Sequence, residues 1–155
     1  MLETIRAAIL AKLAAVPDIG RVHGRERDAN NAAALRALYV ASVGGAEQLR
    51  GWFVSRRAAA NTKAGSGPAL VATTWSITGY LALDDDAATE PAMDSLVDAL
   101  VNEFWRDQNL GGAVINCSNG DAAGLQVAEL GPVLFAGVLC HRARLTLTTH
   151  HRHAF

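Results

Sequence analysis

Residues 125–151 carry two stretches of β-forming residues separated only by Gly131-Pro132, and the second stretch has no obvious end. From Val133 the chain runs VLFAGVLCHRARLTLT to Thr148, sixteen residues in a row. At about 3.3 Å per residue such a strand spans about 50 Å, against about 17–20 Å for an ordinary one. A strand that long outruns its own domain. The pattern therefore predicts a long C-terminal hairpin whose outer strand, 133–148, pairs or packs with another molecule.

The 155 residues suit a single domain that buries about two-thirds of its surface on folding. Half are hydrophobic and 19% charged, the balance of a soluble globular chain, and Ala and Gly supply much of the apolar share. No apolar run approaches the length of about 18 residues expected of a membrane span. Glu3, Arg6 and Lys12 interrupt the first sixteen residues, so this segment reads as a mature helix and the chain as cytosolic. In that compartment Cys117 and Cys140 read as reduced, buried side chains.

Leu2, Ile5, Ile9, Leu13 and Val16 form one helical stripe, ended by Pro17 and Gly20. A polar turn, 21–27, precedes an Ala-rich piece, 28–41, that suits a helix capped by Asp28 or Asn30, although Tyr39-Val40 equally suits the start of a strand. Gly44-Gly45 breaks the chain. Strands are expected at 49–56 and 73–83, with a flexible Gly-rich loop or hairpin tip at 58–68 between them. In 73–83, Trp75, Ile77, Leu81 and Leu83 alternate with Thr74, Ser76, Thr78 and Tyr80, and Gly79 marks a bulge or a close backbone approach. A helix over 89–108 takes Thr89 as its N-cap and has Met93, Leu96, Val97, Leu100, Val101, Phe104 and Trp105 on one wide apolar face. Two or three strands close the chain, at 113–117, 125–130 and 133–148, the last two joined by a tight turn at Gly131-Pro132. The expected fold is α+β, order α(α)ββαβββ: a mostly antiparallel sheet of four to five strands packed by two or three helices.

Charge is nearly balanced overall, at −1, but unevenly distributed. Residues 21–63 hold eight bases and three acids, a balance of +5; residues 84–107 hold eight acids and Arg106, a balance of −7. Such regions either serve as ordinary solvated faces or complement each other between copies. The candidate subunit-interface residues are Arg50, Trp52, Arg56 and Arg57 on the basic side, Asp94 and Asp98 on the acidic helix, and Arg142 and Arg144 on the long strand. Arg and Trp are enriched in interface hot spots.

Catalytic signals are weak by comparison. No P-loop, dinucleotide, nucleophile-elbow or zincin motif is present. The Lys63 to Pro68 loop lacks the helix that would face a phosphate. Cys140 and His141 are adjacent on a strand and point to opposite faces, which leaves Cys117 with His141 as a thiol–base pair, lacking an orienting third residue. His150, His151 and His153 suffice only for weak metal capture. Arg50, Trp52, Phe53, Arg56 and Arg57 interleave bases with aromatics, but the chain lacks the basic footprint of a dedicated nucleic-acid binder. No cofactor is expected.

Taken in order, the amphipathic first helix, the Val22-His-Gly-Arg-Glu-Arg27 segment, the Gly51-Trp52 strand, the Trp75-Ser-Ile-Thr-Gly-Tyr80 strand, the acidic turn, the helix from Pro91 to Gln108 and the closing Gly131-Pro-Val-Leu-Phe-Ala-Gly-Val-Leu-Cys-His141 strand resemble the tail terminator proteins of long-tailed bacteriophages and related neck proteins. That resemblance covers nearly the whole chain. It implies a non-enzymatic virion protein, assembled in the host cytoplasm, that forms a hexameric ring on the tail tube, stops tail polymerisation and offers a surface to the head-side connector. DNA would pass through the ring without specific binding. No catalytic, cofactor or metal residue is implied. A head-side adaptor or stopper is the alternative within that class; a small thiol-dependent or ligand-binding enzyme is the alternative outside it.

Overall fold

A computed structural model describes residues 1–63 and 65–154 of the chain. The stripe of 2–16 winds into helix α1 (Leu2–Ala14), which buries Ile5, Ile9 and Leu13 completely. Beyond Gly20 come β1 (Arg21–His23), helix α2 (Ala32–Ala37), β2 (Val40–Val43), β3 (Ala46–Thr62) and β4 (Ala69–Ala82). Helix α3 (Thr89–Trp105), a 3₁₀ turn (Leu110–Gly112), the two-residue strands β5 (Ser118–Asn119) and β6 (Ala122–Ala123), β7 (Gln126–Phe135) and β8 (Val138–His153) complete the chain.

The fold is α+β. Its main sheet has six strands in the order β1-β3-β4-β8-β7, with β2 also paired to β3, and only the β1–β3 pair is parallel. Helices α1 and α3 cover one face, over a core of Trp52, Val54, Trp75, Ile77, Leu145 and Leu147. The opposite face carries a smaller cluster in which Tyr39, Leu49, Phe53 and Cys140 pack with Leu35, Leu38 and Phe135. No helix among the described residues is long and apolar enough to cross a membrane.

Strand alternation explains this division. Along β4, Trp75, Ile77 and Leu81 enter the large core, while Ser76, Thr78 and Tyr80 take the other face. Gly79 is a close approach: the Trp52 indole occupies the space where its Cβ would be. The bulge lies on the neighbouring strand, at Arg57, between the paired residues Arg56 and Ala58.

Several expectations are corrected. The hairpin exists, but its turn is Ala136-Gly137, both with positive φ (50° and 79°), the backbone that a two-residue connection demands. Gly131-Pro132 continues straight through β7, because an edge strand tolerates a residue with no N–H to donate. The long strand is consequently residues 138–153, not 133–148. It is also interior, with β4 on one side and β7 on the other, so β7 is the outer strand.

The strand expected at 49–56 runs from Ala46 to Thr62 and takes in much of the proposed loop 58–68; Ala64 of that loop lies outside the described residues. The polar turn at 21–27 contains β1, held by parallel pairing to β3 and missed because three residues show no periodicity. Asn31, not Asp28 or Asn30, caps α2, its Oδ1 accepting from the Ala34 N–H at 2.8 Å. Thr89 does not cap α3; left-handed Ala88 (φ 54°) does, and the Thr89 hydroxyl turns to Asp84 and His141. The helix stops at Trp105, whose ring is 59% exposed and not part of the apolar face. Residues 113–117 form no strand, only a bridge between Asn116 and His150.

Candidate functional site

The sheet order sets the two charged regions apart. The basic segments lie on β1, α2, β2 and β3, at one edge of the sheet. The acidic α3 packs over β8 and β4, toward the opposite edge. Asp85, Asp86, Glu90, Asp94 and Asp98 are exposed there, and Arg21, Arg25, Arg56 and Arg57 are exposed on the basic side. Lys12 of α1 spans the helical layer between them, 2.9 Å from Asp107. Its ammonium, with the Gly111 and Asn109 N–H groups, holds the Asp107 carboxyl below its ordinary value.

Both edges also carry unpaired backbone among the described residues. Strand β3 is paired on its outer side through Phe53, after which residues 54–62 have a partner on the β4 side alone. Strand β7 is paired only to β8. Free edges of this length are templates for a further strand. Beside β7 the helix-side surface is apolar: Leu130, Leu134 and Leu139 are exposed, Leu134 at 72%. Between β7 and α3 lies a cavity of about 260 Å³ lined by Leu83, Met93, Leu130 and Pro132, with Glu90 and Asp94 among its charged neighbours. This groove was not anticipated from sequence, because it depends on running β7 through Gly131-Pro132; the signal that could have found it was the Ala136-Gly137 pair.

The eight candidate interface residues divide. Trp52 is corrected outright: it is fully buried in the large core, its indole N–H donating to the Ile19 carbonyl at 3.1 Å, and it offers nothing to a neighbour. Arg50 is engaged within the chain, donating to the Asp18 carbonyl at 2.7 Å, and burial lowers its pKa. Arg142 and Arg144 clamp Glu129 across the hairpin, one on each carboxylate oxygen, at 2.7 and 2.8 Å. Arg56 and Arg57 at the bulge and Asp94 and Asp98 on α3 remain exposed, on opposite sides of the molecule.

The thiol–base pair is not assembled. Cys117 lies near the far end of β8, where Ser118 accepts from His150, nine residues or about 30 Å along an extended strand from His141. Burial pushes each thiol up to about 11, with the Asp107 charge adding to the effect at Cys117. His141 instead meets the Thr89 hydroxyl at 2.8 Å. Among the described residues no cluster of three or more His, Cys, Asp or Glu side chains is arranged to hold a metal ion; His150 is tied to Ser118, while His151 turns into the sheet's helix side. Compared with known proteins, the chain matches no family model and no curated sequence.

Proposed function

We propose that the chain is a non-enzymatic structural subunit that closes into a ring, of the kind that terminates a bacteriophage tail. What supports this reading is one observation: two unpaired strand edges on opposite sides of the sheet, residues 54–62 of β3 and all of β7, lie with opposite charge beside them. An edge that pairs with a different edge of the next copy is a heterologous contact, and repetition with closure makes a ring. Strands β3 and β7 run in opposite directions, so joining them continues the antiparallel sheet from copy to copy. The apolar strip of Leu130, Leu134 and Leu139 would be covered in that contact, and the acidic face of α3 would meet the neighbour's Arg21 and Arg57.

In this reading the partners are sister copies, most simply six, with the tail tube protein below and the head-side connector above. Any acidic surface left facing the lumen repels DNA phosphates and lets the genome pass.

Native mass spectrometry and electron microscopy test the reading directly. Rings with an open centre are expected, either from the pure protein at low salt or on purified tail tubes, and raised salt should weaken their association. Arg21→Glu combined with Arg57→Glu should suppress ring formation while leaving the circular dichroism spectrum unchanged. A chain that stays monomeric at all concentrations, and also in the presence of tail tubes, would refute the proposal.

A further inference from the structure

Past the end of the helical layer the helix-side face of β3, β4 and β8 becomes polar. Successive cross-strand rows there are Ala59–Thr73–Thr149 and Asn61–Val71–His151, lying just beyond Arg56–Trp75–Leu147. Thr149 is satisfied, because the Trp75 indole N–H donates to its hydroxyl at 3.0 Å. Thr73 and His151 are not: 1% and 7% exposed, they leave Oγ1 and Nδ1 with no hydrogen-bond partner. Buried polar side chains are nearly always paired, so two orphans on one face ask for a ligand. Both residues line one cavity of about 370 Å³, together with Arg56, Leu2, Val71 and the amino end of α1.

The charged groups around this cavity favour an anion. The first turn of α1 has no side-chain cap, and its carboxylate, Glu3, is drawn off to Arg6 at 3.5 Å. The Arg56 guanidinium has no ion pair or hydrogen bond to a described residue. No Asp or Glu lines the cavity. Leu2 and Val71 supply an apolar wall that a bare phosphate would leave uncovered.

We propose that this cavity binds a carboxylate carried on a short aliphatic stem. Thr73, His151 and Arg56 donate to the carboxylate, and the stem lies against Leu2 and Val71. Charge-assisted donors of this kind give short, strong contacts, and the volume falls within the range of small-molecule sites. The inference stands independently of ring assembly. Its ligand is either a free aliphatic acid or the side chain of a glutamate on another polypeptide.

NMR titration of the intact protein tests it, with butyrate as the free acid, N-acetylglutamate α-amide as the polypeptide mimic, and butyramide as the neutral control. Saturable movement of the Thr73 and His151 resonances is expected with the acids and not with butyramide. The bound carboxylate should also raise the His151 pKa, which burial, then the His153 charge and the amino end of α1, now hold down, with Arg56 lining the same cavity. Thr73→Val and Arg56→Gln should each weaken binding roughly tenfold or more. The acid that binds more tightly identifies the source. Equal binding of butyramide, tighter binding of inorganic phosphate, or no saturable shift with either acid would overturn the site.

Discussion

Trp52 and Gly79 face each other across β3 and β4, and the indole lies over the glycine so closely that a Cβ there would stand 2.4 Å from the ring carbons Cδ2 and Cε3. The other face of β3 repeats the device, with Tyr39 over Gly51 and its Cδ1 only 2.6 Å from the missing Cβ. Each glycine makes room for a large ring, and the two rings anchor the two clusters on either face of one strand. Gly79→Ala must displace a fully buried indole that is hydrogen-bonded to Ile19, so it should destabilise the fold by about 1–3 kcal/mol or more. Urea unfolding should show a lower midpoint with an unchanged slope. A wild-type midpoint would mean the indole moves freely, contrary to its packing.

The Glu129 clamp holds the edge strand to the sheet. Its carboxylate accepts from both Arg142 and Arg144 at the bulge that follows Val127. All three side chains are substantially exposed, so Glu129→Gln should cost only about 0.2–1 kcal/mol globally. Its local effect should be larger: hydrogen exchange should quicken along residues 126–135 and stay unchanged in β4. Equal exchange in both proteins would show that β7 is held by its backbone ladder alone.

Acid should weaken the fold in two stages. Burial, then the neighbouring His153 charge and the amino end of α1, hold His151 below its ordinary value of 6.5. A lowered pKa favours the deprotonated form in the folded state; that contribution is complete above 6.5 and is lost as pH falls through the lowered value. Asp107 follows the same sign lower down, its contribution complete above 3.8 and lost beneath it. Melting temperature should therefore begin to decline as pH falls below 6.5, and His151→Gln should flatten that first decline while leaving the second. A variant curve parallel to the wild type would assign the decline to other groups.

Neither cysteine should react in the native state. Both thiols are buried and pushed up to about 11, leaving little thiolate near neutral pH, and they lie on opposite sides of the sheet. Labelling by Ellman's reagent should wait for unfolding, and mass spectrometry should find both thiols free. Rapid native labelling of Cys117 would expose a path to it that its burial denies.

Periodicity alone determined the elements that are long and amphipathic. The stripes of α1 and α3, the alternation of 73–83, the α+β class and the presence of a C-terminal hairpin were readable, because each records a repeat of 3.6 or 2 that burial enforces locally; the bounds of its long strand, 138–153 and not 133–148, were not. Tertiary structure decided everything that depends on who pairs with whom. Strand β1 exists only against β3. Pro132 stays in a strand because that strand is an edge, and the turn moves to Ala136-Gly137. Trp52, chosen for a surface, is taken by the core because β4 offers it a glycine. The orphaned Thr73 and His151 came together only through the β4–β8 register, a relation between residues far apart in the chain that no local pattern encodes.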